Sequence, residues 1–116
     1  MKHLMNIEHI YFELVRSSQK KHEYRLYTEK RRKIRVNDVI ILIDNDDQNN
    51  LLEVKVMDIK IYRDWPSALI DNYQIDFKGL YNSLDECVEA CQKFYDSKDI
   101  KRYGIVVYEI EKIPGQ

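Results

Sequence analysis

Apolar positions recur along this chain with two different periods. Ile7, Ile10, Tyr11, Leu14 and Val15 return every three to four residues, which predicts one buried face of a helix. Asn6 stands at the expected N-cap, His9 takes the position of a capping-box acid, and the helix should fade over residues 17–19. The residues before Ile7 are expected to pair as a short strand. Alternation by two then takes over. Tyr24 and Leu26 flank Arg25, so a strand here sets Glu23 and Arg25 on the face opposite Tyr24 and Leu26. Residues 39–43 are continuously apolar, as in a buried strand. Residues 51–62 alternate through Leu52, Val54 and Val56, then Ile59 and Ile61, a run long enough to bend or bulge near residues 57–58. The polar stretch DNDDQNN between them, residues 44–50, reads as an exposed hairpin loop.

The second half continues with a short helix opened by Trp65-Pro66 and covering residues 67–70. Residues 71–81 carry no readable period. Ser83 and Glu86 form a capping box for a helix running to about residue 95, with Leu84, Cys87, Val88, Cys91 and Phe94/Tyr95 on its apolar stripe. Residues 103–113 close the chain as a strand, with Val106, Tyr108 and Ile110 alternating against Val107, Glu109 and Glu111. The resulting order, β-α-β-β-β-α-α-β, predicts an α+β fold in which the strands curl into a small barrel. A length of 116 residues suits a single domain, residues 1–116, with one modest core.

Composition narrows the class of protein. Hydrophobic content of 44% and charged content of 34% fit a soluble globular chain. No apolar run approaches the roughly 20 residues of a membrane helix, so no membrane partner is expected. The first residues carry Glu8 and two histidines and no small-residue cleavage site, unlike a secretory signal. Cys87 and Cys91 lie four apart on one helical face, a poor geometry for a disulfide. A reducing, cytoplasmic setting is the expectation. Both cysteines sit on the apolar stripe and read as buried core. No second cysteine pair completes a metal site, and no phosphate or dinucleotide loop appears. No metal and no cofactor is expected. Asp44, Asp46 and Asp47 lack the Gly and final Glu of a calcium loop.

Charge is unevenly spread. Residues 1–43 carry ten Lys/Arg against five Asp/Glu, whereas residues 44–116 carry nine against fifteen. The basic excess is densest in residues 20–35. Lys30, Arg31, Arg32, Lys33 and Arg35 would form either a solvated turn or a platform for phosphates. Tyr27, at the strand end beside them, is the aromatic expected to stay open for base stacking. Tyr24, Tyr62, Trp65 and Tyr103 could also supply stacking surfaces for unpaired bases, but each is expected to pack. Glu23 and Arg25 would lie about 7 Å apart at Cβ, with Lys20 just upstream. Such a cluster can hold phosphate through Arg25 and Lys20 while Glu23 accepts hydrogen bonds from a base or sugar. It can equally be an internal ion pair. Lys20 and Glu23 would be the catalytic pair of a hydrolase only if burial raised the Glu23 pKa, and the adjacent cations push it down.

The segment SxKxxExR, at Ser18, Lys20, Glu23 and Arg25, is followed by LYTEKRRKIRVNDVIIL, then by YRDWPSAL and a final YGIVVYEI. This series resembles the ASCH domain family over residues 5–113. The family pattern runs GxKxxExR, then a basic turn, then GD and an apolar strand. Ser18 and Asn37 stand where the family usually has Gly. Asn37 is expected to form a left-handed turn, and Ser18 to end a helix without positive φ. The resemblance implies a PUA-like mixed β-barrel of five to six strands flanked by two to three helices. It also implies an association with RNA. Some members are amidohydrolases acting on N4-acetylcytidine, with Thr where this chain has Glu23, and others are ribonucleases. The resulting expectation is a domain that binds RNA or a modified nucleoside beside Lys20, Glu23 and Arg25. A small hydrolase and a protein-interaction module are the alternatives.

Overall fold

A computed structural model describes residues 1–116. The strands are β1 (Lys2–Ile7), β2 (His22–Leu26), β3 (Val39–Asp44), β4 (Leu51–Tyr62) and β5 (Ile105–Lys112). The helices are α1 (His9–Arg16), α2 (Trp65–Leu69), α3 (Tyr73–Asp76), α4 (Leu84–Gln92) and α5 (Ser97–Tyr103), and a single 3-10 turn spans Arg31–Lys33. The strands form one sheet in the order β1-β3-β4-β5-β2. β1 runs parallel to β3, and every other pairing is antiparallel. The architecture is the expected mixed α+β fold, a five-stranded sheet curled into a half-barrel, with five helices rather than two or three.

The bulge falls where the length of β4 suggested. Its register against β5 shifts between Val56 and Asp58, and Met57 faces solvent. One inserted residue reverses the facing, so Leu52, Val54 and Val56 enter the core before it and Ile59 packs inward after it.

Two apolar clusters cover the two faces of the sheet. α1 lays Phe12 and Val15 over Ile40, Leu42, Val56 and Tyr108. On the other face, Trp65, Leu69, Phe77 and Cys87 pack on Tyr24 and Val107. β5 is therefore covered on both sides, which accounts for its unbroken apolar start.

Four local expectations change. Asn6 does not cap α1, because it is paired with Ile43 inside β1; Glu8 takes the N-cap position without a side-chain bond. α2 begins at Trp65, where the Asp64 carboxylate accepts the Ser67 N–H at 2.9 Å. Ser83 caps α4 as predicted, but that helix ends at Gln92. Finally, Ser18 does adopt positive φ, +66°. Its N–H donates to Val15 O at 3.0 Å and that of Gln19 to Leu14 O at 2.9 Å. This is a Schellman C-cap, whose left-handed position favours glycine. Asn37, φ +78°, makes the left-handed turn expected of it.

Candidate functional site

The Schellman cap reverses the chain at the end of α1 and delivers Lys20 to the start of β2. The Lys20 N–H also returns to Leu14 O, at 2.9 Å. β2 then alternates as expected. Tyr24 and Leu26 enter the second cluster, while Glu23 and Arg25 face the other way, opposite Tyr108 and Val106 of β5.

Lys20, Glu23 and Arg25 meet in one place. Lys20 Nζ lies 3.3 Å and Arg25 Nε 3.5 Å from the same carboxylate oxygen, Glu23 Oε1. The Tyr24 backbone N–H approaches that oxygen too, at 3.2 Å. Lys20 and Glu23 are almost fully buried. Lys20 also donates to His22 O and lies 5.4 Å from the Tyr24 ring centroid and 5.7 Å from that of Phe77. Burial pushes the Glu23 pKa up, but Lys20 and Arg25 outweigh it and hold the carboxyl below its ordinary range. Glu23 is thus an ionised acceptor and a poor general base.

A cavity of about 200 Å³ opens against this trio. Six of its fourteen lining residues are aromatic. Trp65 stacks on Tyr95 with ring centroids 5.6 Å apart, and Tyr11 meets Phe77 edge-on at 5.4 Å. Phe94 lies at the same cavity and is largely exposed. Two buried polar atoms of the lining residues have no hydrogen-bond partner, Glu23 Oε2 and Trp65 Nε1. Such groups are few in folded proteins, and each asks for an explanation.

Asp76 supports the trio from behind. It is fully buried and accepts the Lys21 N–H at 2.8 Å, with further bonds to His22 Nδ1 at 2.9 Å and to the Tyr24 hydroxyl. α3 is thereby pinned to the start of β2. Asp76 and Phe77 both come from residues 71–81, where the sequence offered no signal, and Tyr11 was legible only as part of the α1 stripe.

The basic turn adjoins the cavity through Arg25, which also lines a second groove containing Lys30 and Arg31. Lys30, Arg32, Lys33 and Arg35 are exposed. Arg31 is half-buried and donates to Leu26 O at 3.0 Å, so it partly serves to hold the turn. Tyr27 is less open than expected. It is half-buried against the first cluster, and the Arg32 guanidinium lies 4.9 Å from its ring centroid. Tyr24 and Trp65 pack as expected, yet both also face the cavity.

Elsewhere, His9, Asp44 and Asp46 cluster at the base of the β3–β4 hairpin. Asp44 is buried and fully partnered, by His9 Nδ1 at 2.7 Å, Asn50 Nδ2 at 3.0 Å and the Asp46 N–H at 2.9 Å. It fastens the loop. Cys87 and Cys91 are free thiols and both are buried. No helix is long and apolar enough to cross a membrane.

Comparison with known proteins places these features in context. The model of the ASCH domain matches residues 5–114. The crystal structure of hypothetical protein PH0355 is similar at 36% identity, covering 97% of this chain and 100% of that one, with a TM-score of 0.84. The solution NMR structure of protein PF0455 from Pyrococcus furiosus is similar at 31% identity, covering 99% and 100%, with a TM-score of 0.75. A comparison with curated protein sequences found no match.

Proposed function

Given that the chain belongs to the ASCH domain family, a family generally associated with RNA, we propose that it binds RNA or a modified nucleoside in the cavity beside Lys20, Glu23 and Arg25. The observation that carries this reading is the shared position of Arg25, which lines both the aromatic cavity and the basic groove. An RNA nucleotide whose base enters the cavity would leave its phosphates toward the basic turn, where Lys30, Lys33 and Arg35 are exposed. Cations there give affinity without sequence preference, and the cavity gives selectivity.

Binding is favoured over hydrolysis by the chemistry of the trio. Glu23 is held ionised between two cations, and the Lys20 ammonium is already engaged by a carbonyl and a carboxylate. Neither is free to act as a base or nucleophile.

The test is filter binding of short single-stranded RNA across a salt series. Affinity should fall with salt, each phosphate contact adding about 0.7 to the log–log slope. Replacing Lys30, Lys33 and Arg35 by Gln should weaken binding and flatten that slope. Absence of binding at low salt would remove the RNA reading. Turnover of N4-acetylcytidine or of labelled RNA, lost in Lys20→Ala, would favour the hydrolase instead.

A further inference from the structure

The two unpartnered polar atoms are of opposite kind. Glu23 Oε2 is an acceptor and Trp65 Nε1 carries a donor hydrogen. They come from distant parts of the chain, β2 and the first residue of α2, yet both residues line the same cavity. Glu23 Oε1 already receives Lys20, Arg25 and the Tyr24 N–H, which leaves Oε2 as the buried, unpartnered oxygen of a carboxylate fixed in place.

The geometry points to a single unpaired nucleobase as the occupant, inserted edge-first with one N–H donating to Glu23 Oε2 and one ring or carbonyl acceptor receiving the Trp65 indole N–H. This rests on the nucleic-acid reading above and deepens it by assigning the contacts that select the base.

Several observations narrow the choice to this chemistry. The volume, about 200 Å³, lies below the roughly 300–1,000 Å³ of pockets for drug-sized ligands, so one small ring system fits and a base pair does not. Tyr11, Trp65, Phe77 and Tyr95 give the cavity aromatic lining, which suits a planar heterocycle. Both cations of the trio are engaged by Glu23 Oε1 and the unpartnered oxygen beside them is an acceptor, so phosphate belongs outside, at the basic turn. A purely apolar ligand would leave both buried atoms unpaired, at the usual cost of an unmade hydrogen bond. A nucleobase carries a donor and an acceptor side by side on its Watson–Crick edge and satisfies both. Phe94, exposed at the cavity, would stack on the neighbouring base of a single strand.

The experiment measures calorimetric or NMR-detected binding of uridine, cytidine, adenosine and guanosine, none of which carries a phosphate. The same is done for derivatives methylated at the Watson–Crick nitrogen or amine. The protein is the full chain, its Glu23→Gln variant and its Trp65→Phe variant. At least one nucleoside should bind and its methylated form should not. Glu23→Gln should weaken the complex about tenfold or more, through loss of a charged acceptor, and Trp65→Phe, which keeps an aromatic ring, by about three- to tenfold. If buried Glu23→Gln fails to fold by circular dichroism, Trp65→Phe and the methylated nucleosides decide. RNA oligomers that bind normally while no nucleoside binds, or while neither substitution changes nucleoside affinity, would overturn the base-pocket assignment and leave the RNA reading intact. Absence of binding by both oligomers and nucleosides would instead overturn the reading beneath it.

Discussion

Two residues stand where a side chain is conformationally costly, and one of them is directly upstream of the candidate site. Ser18 is exposed, and its φ is +66°. A left-handed conformation costs an L-residue about 1–2 kcal/mol, while glycine gives back about 0.4–1 kcal/mol through its freer unfolded chain. Ser18→Gly is therefore expected to stabilise the protein by ~0.5 kcal/mol or slightly more, read as a higher urea midpoint with an unchanged slope. An unchanged or lower midpoint would contradict the Schellman geometry. A second residue-scale effect concerns acid. Asp38 is held down to about 2 from an ordinary 3.8, by the His3 ring at 2.8 Å and then by the Arg35 N–H. Its folded pKa is depressed, so its contribution to stability is present above about pH 4 and is lost as pH falls toward 2. NMR titration of the Asp38 carboxyl carbon should give a midpoint near the lower value. Asp38→Asn should flatten the acid limb of the stability curve over that interval.

At the scale of elements, the sheet has two unpaired edges, β1 and β2. They come together at the cavity, where Arg25 Nη2 of β2 donates to Asn6 O of β1 at 2.7 Å. Arg25 thus joins the two edges of the half-barrel while also neutralising Glu23. Arg25→Leu keeps the stem and removes both bonds. Hydrogen bonds to charged groups contribute about 1.5–3 kcal/mol, and a loss in that range is expected in urea unfolding. Amide exchange should rise first in β1 and β2, and uniform acceleration across the sheet would count against the edge-joining role. The strand faces were legible because alternation by two determines them: Glu23 and Arg25 could be set opposite Tyr24 and Leu26 from the sequence alone. The clasp was not legible, since it joins residues 19 apart through a backbone carbonyl. α3 escaped because four residues are too few to show a period, and with it went Asp76, the buried carboxylate that anchors β2. Glycine at the family positions did carry information. It marked Ser18 as left-handed, against the argument that the end of a helix needs no positive φ.

At the scale of the whole molecule, the two apolar clusters lie on opposite faces of one sheet, and the cavity lies where the sheet's open side meets α1 and the segment after α4. The candidate site is thus a product of incomplete closure. A fully hydrogen-bonded barrel would pair the outer edges of β1 and β2 and leave no opening beside Arg25. This also explains why the charged wall was legible as one cluster in the sequence, whereas the aromatic residues were legible singly but not as a wall. The charges cluster within residues 20–35, whereas Tyr11, Trp65, Phe77 and Tyr95 become neighbours only after the sheet has folded.

The paired thiols of α4 offer a clock for this assembly. Cys87 is fully buried, whereas Cys91 is 9% exposed and lines the cavity. The neighbouring Cys87 thiol draws Cys91 below the usual thiol range, against its burial, while Cys87 itself lies far above it. A disulfide reagent should therefore modify the protein in two phases, Cys91 first and Cys87 only when α4 lifts from the sheet. Mass spectrometry of the digested adduct identifies each phase, and equal rates would refute the ordering. Whatever fills the cavity should slow the first phase and barely alter the second. Two buried cysteines would then time separately the opening of the pocket and the loosening of the fold.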